Sequence, residues 1–154
     1  MIEKRFNQIR SKDLFFVILY TLLMTIILAV LFGLIDFLAI RYLSFQIGNL
    51  LFWILAVLAG NMIRKQYEKP HLIYSIIVLI GLLLGAVIIE VLPVIMFYYG
   101  SSEFASIIFD ITIYLEGALY LYNPLLWIKN FSFNYMITLL MIAVGTYLGV
   151  KRTL

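Results

Sequence analysis

Cysteine is absent from the 154-residue chain, and histidine occurs once, at His71. Without thiols there is no disulfide framework and no thiolate nucleophile, and one imidazole cannot assemble a zinc or haem site. Charge is scarce too: Asp, Glu, Lys and Arg make up 12% of the residues, against about 25% in an ordinary soluble domain. No Pro-rich, Gly/Ser-rich or highly charged stretch divides the chain, so residues 1–154 are expected to form a single domain. G-x-S-x-G, H-E-x-x-H, P-loop and G-x-G-x-x-G patterns are all missing, and no serine has a credible histidine base on the same side of the membrane. Asp110 and Glu116, six apart, would project from different faces of a helix. These gaps argue against an enzyme, and no catalytic residue, cofactor or metal ligand is assigned.

What the chain has in excess is apolar surface. Hydrophobic residues reach 65% and the mean hydropathy is +1.10, a composition for a lipid bilayer rather than water. The pI of about 9.1 does not indicate nucleic acid, because the eleven Lys and Arg residues lie mostly at the ends of apolar runs, where their role is to set topology.

A hydrocarbon core of roughly 30 Å takes about 20 apolar residues in a helix. Runs of that kind cover residues 14–35, 43–63, 71–93 and 131–150, which predicts an all-α integral membrane bundle of four transmembrane helices. The first run follows Lys4, Arg5, Arg10 and Lys12, yet it is longer than a signal-peptide core and no clear cleavage site follows it, so it reads as a retained anchor. Lys and Arg then divide nine to two between the two sides, which places both termini in the cytoplasm of a cell-membrane protein. Residues 101–130 are too apolar for an ordinary loop. They are expected to be a partly helical outer-face segment, with Tyr114, Tyr120, Tyr122 and Trp127 at headgroup level. A re-entrant hairpin is the other possibility under four spans. Five spans, with 104–122 crossing, is the alternative topology; it weakens the basic asymmetry to eight against three and sinks Asp110 and Glu116 into lipid, at about 2.5–3.5 kcal/mol each on the insertion scale.

Each span carries two small residues four apart: Ala29 and Gly33, Ala56 and Gly60, Gly81 and Gly85, Gly145 and Gly149. Such pairs share a helix face and let backbones approach closely. Gln46 and Asn49, three apart, share a face of the second span, where amides act as interhelical glue or line a solute path. Glu90 falls about 30 Å along the third span, near its outer boundary, with Pro93 closing the helix. Asp36 reaches the same level, and Arg41 is the expected cation for either carboxylate. By this count the cytoplasmic side carries +6 and the outer side −3.

Two functions fit. The favoured one is a non-enzymatic interaction protein, an accessory subunit or immunity-type protein, whose partners are the bilayer and another membrane protein or a second copy of itself. The alternative is a small proton- or cation-coupled carrier using Asp36, Glu90 and the amides Gln46 and Asn49, and it ranks second because no ionisable residue reads as lying at the midplane.

Overall fold

The computed structural model describes residues 10–107, 109–129 and 132–154; the side chains of residues 100–107 and of Trp127, including its expected place at headgroup level, lie outside the described residues. The described chain is all-helical, without strands. Its helices are α1 (Ser11–Leu43), α2 (Gly48–Arg64), α3 (Leu72–Ile107), α4 (Ile111–Tyr122), α5 (Pro124–Lys129) and α6 (Phe133–Lys151).

Local chemistry explains most of the boundaries. α1 stops at Ser44, which takes a left-handed conformation (φ 54°) and returns its N–H to the Ile40 carbonyl at 3.1 Å. This is the αL termination that usually employs glycine. The Asp110 carboxylate accepts from the Thr112 N–H and caps α4, while the Ser132 hydroxyl accepts from the Tyr135 N–H and caps α6. Pro124 opens α5, where a missing N–H removes no helical bond.

Three helices are long and apolar enough to cross a membrane: α1, the 72–99 portion of α3, and α6. At 17 residues α2 is shorter, about 25 Å at 1.5 Å per residue. α1 leaves Leu19, Leu22, Leu23, Ile26 and Ile27 exposed, so it is apolar on its outer face as well as its packed one. Such a helix suits hydrocarbon on one side and protein on the other, and the molecule is accordingly a membrane protein.

The helices pair by direction. α1 and α3 run parallel, with Gly81 against Thr21, Gly33 against Leu92, and the Phe37 and Phe97 rings 5.0 Å apart. α2 and α6 also run parallel: the Asn49 side chain donates to the Thr138 hydroxyl at 3.2 Å, the Trp53 indole to the Met141 carbonyl at 2.8 Å, and Arg152 to Asn61 at 3.0 Å. The second pair runs opposite to the first. Consequently the start of α1, the end of α2, the start of α3 and the end of α6 gather at one end of the bundle, where Arg10 meets Glu68 at 3.5 Å and the Ser75 and Thr153 hydroxyls are 3.1 Å apart.

The small residues are packed against helices of the same chain. Gly85 faces Leu55 and Ala29, Gly145 faces Phe52 and Trp53, and Gly60 faces Gly149. A Cβ on Gly149 would lie 2.6 Å from Leu82 Cδ1 and 2.9 Å from the Ala56 carbonyl oxygen, closer than packed atoms tolerate.

Three sequence boundaries need correction. The first span does not stop before Asp36: α1 continues to Leu43, so residues 43–47 belong to its end and to a turn rather than to the second span. The third does not end at Pro93, which lies inside α3; proline forfeits one backbone bond, and the helix continues because packing on both sides holds it. Nor does the segment after α3 lie across the end of the bundle. α4 folds back along α3, with Ile113 near Val94, Gly117 against Val91 and Val87, and the Tyr122 hydroxyl donating to the Leu83 carbonyl at 2.9 Å. Gly117 permits the close approach, since a Cβ there would collide with Val91.

Candidate functional site

Opposite the basic end, α2 begins against the flanks of α1 and α3. The first N–H groups of any helix lack intrahelical acceptors, and α2 receives no cap from its own Ile47 side chain. The acceptor comes from α1: the Asp36 carboxylate takes the Ile47 N–H at 2.7 Å, with Gly48 beside it. Asp36 is 0% exposed. It acts as a cap supplied across space, its negative charge lying at the positive end of the α2 dipole. Gly48 is required by this arrangement, because a Cβ there would lie 2.9 Å from Asp36 Oδ2. That second oxygen has no hydrogen-bond partner.

Glu90 lies next to this cap. It follows Ile89, whose side chain also packs at Gly48, and it is half-buried. Its Oε2 accepts from Gln46 Nε2 at 3.4 Å, a long bond, and the Asp36 carboxylate is near enough for the two negative groups to repel. Glu90 also lines an open groove of about 550 Å³ between α3, α4 and α6, together with Glu116, Tyr120, Tyr135 and Thr138. The Tyr135 hydroxyl is anchored on the Leu121 and Tyr120 carbonyls, at 2.8 and 3.1 Å.

Of the residues singled out in the sequence, Asp36, Gln46 and Glu90 therefore come together. Asn49 turns instead to Thr138 on α6, and its Oδ1 has no partner among the described residues. Arg41 does not join them. Its guanidinium lies over the Phe37 and Tyr42 rings, 5.9 and 5.8 Å from their centroids, and among the described residues the one ion pair is Arg10–Glu68. The expected neutralising partner is thus replaced by a backbone cap for Asp36 and an amide for Glu90. Asp36, read from the sequence as lying at the outer boundary of its span, is fully buried instead.

Sequence reasoning missed Glu116, Tyr120, Tyr135 and Thr138 as neighbours of Glu90. Nothing in their spacing reveals it, because the fold-back of α4 brings them there. The pair Thr21 and Thr25 was also passed over, although threonines four apart in an apolar run were visible; Thr25 returns its hydroxyl to the Thr21 carbonyl at 2.6 Å, and both pack at Gly81.

Chemically the cluster offers acceptors in excess of donors. Two carboxylates meet one side-chain amide and the backbone N–H groups at the start of α2, and the acceptor capacity left over makes a place for a proton or a cation. Among the described residues, no three Asp, Glu or His side chains are grouped to hold a metal ion. No family model, curated protein or solved structure matches the chain.

Proposed function

We propose that the protein is a four-span membrane protein with both termini cytoplasmic, and that it works by reversible binding of a proton or a cation at Glu90 beside Asp36. This is the carrier reading, and the interaction reading is second to it. The observation that carries it is the unbalanced acceptor cluster formed by Asp36, Gln46 and Glu90, with no basic side chain among the described residues paired to it. Ionisable groups held within a membrane bundle are costly and usually serve a pathway or a coupling ion. The gathering of Arg10, Glu68, Arg152 and Asn61 at the opposite end supports a cytoplasmic basic face. On that placement Glu90 lies about 27 Å along α3 from Leu72, in the outer leaflet, and Tyr122 reaches mid-depth in a re-entrant α4.

The test is gradient-driven flux. Proteoliposomes containing the parent should dissipate an imposed proton or cation gradient, and Glu90→Gln should abolish that flux while keeping the helical spectrum and monodispersity of the parent. Equal flux from both proteins, or none from a well-folded parent, would overturn the carrier reading.

One observation favours the interaction reading. Ile111, Leu115 and Leu119 form an exposed apolar stripe on α4 that the chain leaves uncovered. A stoichiometric membrane partner, retained by the parent in gentle detergent and lost on Leu115→Lys, would support it.

A further inference from the structure

We propose that the groove between α3, α4 and α6 binds a lipophilic organic cation, an amine or onium centre carried on an apolar body. This inference deepens the carrier reading and rests on it. The groove holds about 550 Å³, within the range of small-molecule sites. Two carboxylates line it, Glu90 on α3 and Glu116 on α4, and among the described residues no Lys or Arg does. Glu116 is exposed and Glu90 half-buried.

Apart from Thr138, the rest of the lining is apolar or aromatic. Tyr120 and Tyr135 stand edge to face, 6.3 Å apart, and both line the groove, where ring faces attract a desolvated cation. Gly117 sets the width, since a side chain there would meet Val91 and push α4 away from α3. A small hydrated ion would gain little from such walls. A cation with an apolar body satisfies both the acids and the lining, and it would reach the groove by partitioning into the bilayer.

The experiment is equilibrium binding of radiolabelled tetraphenylphosphonium to the full chain in nanodiscs, with neutral triphenylphosphine oxide as competitor. Saturable binding is expected, weakened about tenfold or more by Glu90→Gln and by Glu116→Gln, and resistant to the neutral competitor. Glu116→Gln changes an exposed residue and is expected to keep the parent's unfolding temperature, which guards against loss of fold as the cause. Binding that survives Glu90→Gln and Glu116→Gln combined, or that the neutral compound displaces as well as the cation does, would overturn the proposal and make the groove a seat for a lipid chain. Flux that depends on Glu90 in a chain that does not bind tetraphenylphosphonium would refute the organic-cation ligand and leave the carrier reading standing.

Discussion

The two ends of the bundle treat their polar groups in opposite ways. At the basic end hydrogen bonds tie the helix ends together: the Tyr67 hydroxyl donates to the Thr153 carbonyl, Ser75 and Thr153 share a hydrogen bond, Arg64 donates to the Tyr67 carbonyl at 2.9 Å, and Arg152 reaches Asn61. Thr153, next to last in the chain, is completely buried as a result. At the acidic end Asp36 and Asn49 each keep an unpartnered oxygen, and Glu90 has one long bond. A matched end is a latch whose value is stability. An unmatched end carries a standing cost that stability does not explain, since unsatisfied buried acceptors cost about 1–3 kcal/mol each.

The largest effect tests the packing common to both ends. Gly149→Leu should destabilise the fold by about 3 kcal/mol or more, because the side chain must displace Leu82 and the Ala56 backbone. Detergent unfolding followed by circular dichroism would measure it, with Leu140→Ile, at an exposed position, as the silent control.

Next comes Asp36→Ala, which strips the start of α2 of its acceptor and should cost about 1–3 kcal/mol. A smaller loss would mean that water or a neighbouring group replaces the cap, and would weaken the claim that Asp36 is structural while Glu90 is free to act.

At the basic end Tyr67→Phe should cost about 1 kcal/mol by removing the bond to Thr153. Burial pushes the Tyr67 phenol above its usual 10.0. The neutral phenol is the form the fold prefers, so its contribution is complete below about pH 10 and fades as pH rises through the raised value. Parent protein should therefore lose stability in alkali that Tyr67→Phe, already weakened, does not lose further through this group.

The smallest change in stability is expected for Glu90→Gln, within about 0.5 kcal/mol of the parent, as for substitutions outside the stabilising network. A drop comparable to that of Asp36→Ala would make Glu90 a structural residue and erase the contrast between the ends.

Much of this architecture was legible in the sequence because it rests on one-dimensional signals. Apolar runs marked α1, α3 and α6, and the four-residue spacing of Gly81 and Gly85 or Gly145 and Gly149 marked packed faces. The failures were all three-dimensional. Asp36 read as a boundary because an acid in an apolar run costs energy, and only the turn at Ser44 returns the chain so that Ile47 can satisfy it. Arg41 read as its partner by proximity in the chain, but two rings occupy the guanidinium. Pro93 read as a stop, although proline inside a packed helix loses only one bond. The groove at Glu90 was invisible because the fold-back of α4 depends on what Gly117 meets, not on where it stands in the chain.

The absence of cysteine makes the decisive measurement clean, since any introduced thiol is the only one. Glu90→Cys and Thr153→Cys, reconstituted in sealed vesicles of known orientation, would be exposed to a cationic, membrane-impermeant thiol reagent from each side in turn. The expected result is rapid labelling of Glu90→Cys from the outer side alone, with Thr153→Cys unreactive from either side while the fold is intact. A Glu90→Cys protein that resists the reagent from outside, or a Thr153→Cys protein that reacts as fast, would contradict an open acidic end opposed to a latched basic one.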